Sequence, residues 1–287
     1  RRWVIMDVCG GQTHSLLRHG LEEALENSLE LVHGPGCPVC VTPADAIDDA
    51  AELAKRPDVI LASFGDMLRV PGRHGSLLNA KSTGADVRTV YSPVDAVQLA
   101  AKEPTRQVVF FGVGFETTAP ATALAVLQAR QLKLSNFSIL VQHVRVEPAM
   151  RAVMQLPDNR IQGFLAAGHV CTVTGFAHYE SFVETFKVPV VVSGFEPLDL
   201  LAGVAECVRL LESHQPEVSN QYARSVCPER NVHAQRLINQ VYNVATVPWR
   251  GFGAIPDGGI VMRPELSSYD ARCRFGLTTP LSSGDGD

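Results

Sequence analysis

Runs of apolar and β-branched residues recur along this chain at roughly 3–8, 28–32, 58–62, 87–91, 107–113, 137–142, 161–166 and 189–193. Each is short and nearly continuous, the pattern of a parallel strand buried on both faces. Between them lie stretches with helical spacing of apolar positions, among them 44–55, 93–102, 119–131 and 197–212. Strand and helix in alternation predict an α/β fold with parallel sheets. Eight such units could close a single barrel, but the signals repeat four units apart. Val32-His33 with Thr42-Pro43-Ala44 is echoed by Gln142-His143 with Glu147-Pro148-Ala149. Tyr91-Ser92-Pro93-Val94-Asp95 is echoed by Gly194-Phe195-Glu196-Pro197-Leu198-Asp199. The expectation is therefore two related, Rossmann-like βα domains facing across a cleft, 1–104 and 105–213. A helical and irregular segment, 214–287, would follow, with a helix-like stretch at 231–244 and a disordered end at 281–287.

Composition narrows the function classes. With 287 residues, 46% of them hydrophobic, the chain is long enough for two cores. A net charge of −5 and no Lys/Arg-rich run argue against nucleic acid as a partner. No apolar stretch reaches membrane-spanning length. Asp7 interrupts Val4-Ile5-Met6 too early for a signal peptide, and a start without methionine reads as a processed or cut chain. Seven cysteines, an odd number without the spacing of a secreted disulfide framework, fit a reducing cytosol.

Chemistry collects where the strand-like runs end, the edge at which open α/β sheets bind ligands. The first runs into Cys9-Gly10-Gly11-Gln12-Thr13-His14, where two glycines leave the thiol clear of crowding and His14 returns towards it across a loop. A metal-ligating or nucleophilic thiolate is one reading of Cys9; a buried thiol at a strand end is the other. The second runs into Gly34-Pro-Gly-Cys37-Pro-Val-Cys40, whose spacing suits a reversible disulfide or a metal chelate. Thr42 as N-cap and Pro43 as first helical residue would set these thiols just ahead of a positive helix end. Zinc would need further ligands, from Cys9, His14 or His33. The fifth runs into Gly112-Val-Gly114-Phe-Glu116-Thr117-Thr118-Ala-Pro120, a partial dinucleotide fingerprint that reads equally as a capped helix. The seventh gives Gly168-His169-Val170, a histidine at a strand tip. Cys207 has core spacing, and Cys171, Cys227 and Cys273 form no spaced motif.

Taken together, these strings resemble the HypD family of hydrogenase maturation factors. The matching elements are Cys9–His14, Gly34–Cys40, Phe64-Gly-Asp-Met-Leu-Arg-Val-Pro-Gly72, Gly114–Pro120 and Gly168–Val170, in family order over roughly the first 200 residues. The resemblance implies a cytoplasmic scaffold, with thiol redox activity rather than conventional turnover, that assembles the Fe(CN)2(CO) unit of [NiFe]-hydrogenases. It would work with the chaperone HypC, receive cyanide from HypE with HypF, and serve the hydrogenase large subunit indirectly. On that resemblance Cys9 ligates the iron together with a HypC cysteine. Cys37 and Cys40 supply electrons that convert a delivered thiocyanate-like group to cyanide. Glu116, Thr117, Thr118 and His169 line the pocket, and Gly10, Gly11, Gln12, Thr13, His14 and Gly114 border the cofactor. Thiolate is a suitable soft ligand for low-valent iron.

One departure stands out. Family members carry a cysteine-rich C-terminal region for a [4Fe-4S] cluster, whereas only Cys273 lies in the final stretch here. One cysteine cannot hold a cubane bound by four, so no cluster is expected in this chain, as a truncated or cluster-lacking member. Two further readings stay open: a metal-free thiol-disulfide oxidoreductase built on Cys37 and Cys40, and a zinc-stabilised interaction module.

Overall fold

The computed structural model describes residues 2–277. All eight apolar runs are strands: β1 (Trp3–Asp7), β2 (Leu29–His33), β3 (Val59–Ser63), β4 (Val87–Thr89), β5 (Gln107–Gly114), β6 (Phe137–Val144), β7 (Gly163–Ala167) and β8 (Val190–Ser193). Three more follow: β9 (Val218–Asn220), β10 (Tyr242–Trp249) and β11 (Gly253–Met262). They form two open sheets rather than a barrel, so the α/β class with two Rossmann-like parallel arrays holds. Among the described residues no helix is long and apolar enough to cross a membrane. The expected disorder at 281–287 lies outside the described residues.

The division between units is not the expected one. One compact unit comprises the chain up to Cys37 together with Val146–Gln235; the other comprises Pro38–Arg145 and the chain from Arg236 onward. The boundaries expected at 104 and 213 assumed that consecutive strands stay in one sheet, the usual tendency. Here the chain leaves the first sheet after β2 and returns only at β7. The echoed signals near Val32-His33 and Gln142-His143 therefore lie just before two of the three crossovers between units, not at equivalent points of tandem halves.

The first unit holds a five-stranded sheet in the order β2-β1-β7-β8-β9, every pairing parallel. Its core packs Ile5, Leu16, Leu31, Leu165, Val191, Leu200 and Leu210. The buried Cys207 belongs to that core, as its spacing predicts, and burial pushes its thiol up to about 12. Chain connections diverge between β1, which leads to β2, and β7, which leads to β8. That divergence is a topological switch point, where such sheets leave a crevice at the carboxyl ends.

The second unit holds a six-stranded sheet in the order β10-β11-β6-β5-β3-β4. Pairings among β3 to β6 are parallel, while β10 and β11 form an antiparallel hairpin added to β6. Its switch point lies between β3 and β5. The expected helix at 231–244 ends at Val241, where β10 begins, so residues after 236 complete this sheet instead of forming an appended segment. Buried Tyr242, Ile260 and Met262 of the hairpin join the cluster around Phe110, Phe137 and Ile139.

Candidate functional site

In the first unit, the residues after β1 and after β7 meet at the switch point. Cys9 has extended backbone (φ −145°, ψ 122°) and directly precedes the helix Gly10–Arg18. Gln12, Ser15 and Leu16 form the buried stripe of that helix, at the i, i+3, i+4 spacing of one face. The Gly-Gly pair, poor in helix propensity, hid this helix from the sequence. His14 consequently projects from the fifth position as an exposed side chain, well round the helix from Cys9. It does not fold back over the thiol.

The imidazole beside Cys9 is instead that of His169, from the first turn of the helix Gly168–Thr174: Nδ1 lies 3.8 Å from Sγ. His169 also packs against Phe195, with ring centroids 5.1 Å apart. The Phe195 ring closes over Gly11, where an added Cβ would meet it at 3.4 Å and the Cys9 sulfur at 3.6 Å. Phe195 carries a site contact that sequence reasoning passed over, although Gly194-Phe195-Glu196 after β8 was visible as an echoed signal.

Cys9 is buried, with 5% of its surface exposed. Burial raises its pKa; the amides of Gln12 and Gly11 lean towards the sulfur and oppose that, and the charge of Asp7 adds to it. Burial also lowers the His169 pKa. The pair therefore rests as thiol and neutral imidazole, so of the two readings of Cys9 the buried thiol at a strand end describes this state. Gln12 is fully buried and donates its amide to the carbonyls of Ala166 (3.3 Å), Ser193 (3.1 Å) and Gly194 (3.4 Å), tying the helix to the ends of β7 and β8. Thr13 donates to Asp7 Oδ1 (2.6 Å), and His33 Nδ1 lies 2.5 Å from Asp7 Oδ2, so a fully buried carboxylate under Cys9 is satisfied from both sides.

The cysteine turn follows β2 and carries the chain out of this unit. Cys37 and Cys40 are disulfide-bonded, Cys37 half-buried and Cys40 exposed. Gly36 is packed directly on the Cys9 backbone: a Cβ there would lie 2.4 Å from its nitrogen. Gly10 donates its amide to the Gly36 carbonyl at 2.9 Å, and a Cβ on Gly10 would meet Cys37 Cβ at 3.8 Å. The turn and Cys9 are thus neighbours within the first unit. Thr42 is not the N-cap. It is buried, and its hydroxyl donates to the Pro38 carbonyl (2.8 Å), closing the turn on itself, while the helix begins at Ala44 after Pro43.

The second unit carries the remaining candidates at its own switch point. The loop after β3 is pinned by Asp66, which accepts from the Met67 amide (2.9 Å). After β5, Gly114 leads into half-buried Glu116, Thr117 and Thr118, and the helix Ala119–Gln131 follows with Pro120 in its first turn. Thr118 donates its hydroxyl to the Phe115 carbonyl (3.2 Å) and lies across Gly114, where an added Cβ would come within 1.8 Å of Oγ1. His143 of β6, noted in the sequence only as part of an echoed pair, lies behind Gly114, and Tyr242 of β10 stacks on it. Among the described residues no group of three or more His, Cys, Asp or Glu is arranged to hold a metal ion.

Comparison with known proteins agrees with these motifs. A family model described as HypD, hydrogenase formation hypA family, matches residues 1–285. The chain is 47% identical over 272 residues to hydrogenase maturation factor HypD of Escherichia coli (strain K12), covering 94% of this chain and 73% of that protein. It is 45% identical to HypD2 of Bradyrhizobium diazoefficiens over 280 residues, 95% of this chain and 74% of the relative. HypD of Rhizobium leguminosarum bv. viciae is 45% identical over 290 residues, 98% and 75% of the two chains. The chain belongs to the HypD family of hydrogenase-formation proteins.

Proposed function

We propose that this chain is a cytoplasmic scaffold of hydrogenase maturation on which the Fe(CN)2(CO) unit is built, in company with HypC and with HypE–HypF as source of cyanide. The observation that carries the reading is the Cys9 thiol, 3.8 Å from His169 and in backbone contact with the cysteine turn. Iron is cargo here, and a soft thiolate is the donor it would take from this chain. The described residues offer Cys9 and His169 but no third donor beside them, which suits a metal whose other ligands are diatomics and a partner's cysteine.

The resting protonation fits a site that waits for its metal. A neutral thiol loses its proton on ligation, and the imidazole at 3.8 Å is placed to take it. The Gln12 and Gly11 amides then stabilise the thiolate. Reductive cleavage of a thiocyanate-like group to cyanide and hydrosulfide needs two electrons, and closing one disulfide from two thiols releases two electrons and two protons. In its reduced, dithiol form the Cys37–Cys40 turn can supply that pair, ending as the disulfide seen here, which an external dithiol reductant must reopen before another round; we assign handling of the delivered group to Glu116, Thr117 and Thr118.

Anaerobic co-expression with HypC followed by iron analysis and infrared spectroscopy tests the reading. Iron with CO and CN stretching bands is expected, with both lost in Cys9→Ala; iron content and bands unchanged in that variant would remove Cys9 as ligand. An exposed Cys40 in a disulfide also suits a metal-free thiol-disulfide oxidoreductase. Dithiol exchange that persists in Cys9→Ser, with no iron taken up by the parent chain, would favour that alternative.

A further inference from the structure

His143 is the penultimate residue of β6, beside Gly114, its register partner on β5. The side chain is fully buried, and among the described residues neither ring nitrogen meets a partner within hydrogen-bond geometry; the Gly112 backbone lies close enough to oppose the fall of its pKa but makes no bond of normal geometry. Gly112 backs one edge, 3.4 Å from Cε1 to the place of a Cβ, and Tyr242 stacks on a face with centroids 6.3 Å apart. Tyr242 does not donate to the imidazole, because its hydroxyl proton goes to Thr122 Oγ1 (3.0 Å), and neither ring nitrogen donates to it. Buried polar groups left unmatched by protein are normally matched by something else.

Geometry says where. The point that a Cβ on Gly114 would occupy lies 1.8 Å from Thr118 Oγ1 and 3.2 Å from His143 Nε2, which caps the separation of those atoms at about 5 Å. They form no direct hydrogen bond, yet one oxygen making two bonds of about 2.8 Å spans such a gap. The Thr118 proton is committed to the Phe115 carbonyl, so a guest must donate to the hydroxyl's lone pair. Towards the ring it can accept or donate, according to tautomer. Burial keeps this imidazole neutral and Thr118 carries no charge, so an ionic guest would lose its hydration without a counter-charge in the framing residues.

We propose that Gly114, Thr118 and His143 frame a site for one uncharged, water-sized hydrogen-bonding guest, and that His143 through this guest is the positioning residue that orients the Thr118 hydroxyl. The inference rests on the maturation reading only in treating Thr118 as a site residue. Its test uses the chain without iron or partners, so either can fail without the other.

The measurement is a double-mutant cycle in urea unfolding with His143→Phe and Thr118→Val. Each single change strips the guest of one partner and should raise the unfolding constant; the double change, which leaves no polar atom stranded, should cost less than the two together, by about tenfold in that constant. Additive effects would overturn the proposal. Nuclear Overhauser spectroscopy of the unmodified chain gives an independent arm should a variant not fold. A cross-peak between the His143 ring and a long-lived water is expected, retained in Thr118→Ser and lost in Thr118→Val; no cross-peak in the unmodified chain would overturn the proposal equally.

Discussion

Cys9 and His169 show what burial does to chemistry one side chain at a time. Each sits where its charged form is disfavoured, so the pair is quiet until a ligand changes the balance. The motif around Cys9 was legible because glycines, a thiol and a polar run at a strand end are an unusual construction. Its partner was not: His14 is near in sequence, whereas His169 is 160 residues away, and only parallel pairing of β1 with β7 brings it close. His143 carries the residue-scale prediction. Burial lowers its pKa to about 4, below the ordinary value near 6.5, so the unfolded chain binds the extra proton first as pH falls. Its contribution to stability is complete above about pH 6.5 and is lost as pH drops towards 4, to the extent of about 3 kcal/mol. Urea midpoints of parent and His143→Phe across that window should therefore converge as pH falls; curves that stay parallel would contradict a buried neutral imidazole.

At the scale of elements, local signals succeeded where a cap or proline announces itself and failed where tertiary contact decides. Ser92 and Asp95 form the capping box that Ser-Pro-Val-Asp suggests, and Glu196 with Asp199 does the same before Pro197–Glu212. Thr42 carries the same kind of signal, yet its hydroxyl is spent inside the cysteine turn. The hairpin β10–β11 was missed because its turn and glycines masked two half-buried strands that are ordered by pairing with each other and, through β11, with β6. The most exacting element is the turn itself. With Gly36 packed on the Cys9 backbone, Gly36→Ala must push the two segments apart, and we expect a loss of about 2–3 kcal/mol in urea unfolding. If the proposed function holds, such a variant should also lose iron with HypC present even though every thiol remains. Full stability in Gly36→Ala would mean that the close approach is not maintained in solution.

For the whole molecule, the strands were legible and their partition was not. Apolar periodicity gives β1 to β8, because each is buried on its own account, but nothing in a strand's composition says which sheet it joins. The test is a cut. A fragment of residues 1–104 contains β1 and β2 without β7, and β3 and β4 without β5, so each sheet lacks its central neighbour. It should show no cooperative unfolding transition by circular dichroism, whereas a sharp transition would restore the sequential division. The interleaving also has a temporal consequence. β1 and β2 emerge from the ribosome more than a hundred residues before β7, which at about 5–20 residues per second is a wait of roughly ten seconds. Throughout that interval a nascent Cys9 lacks the His169 imidazole and two newly made strands lie unshielded, so the first unit cannot close its sheet until β7 to β9 have been made, and the waiting strands are an obvious client opportunity for chaperones.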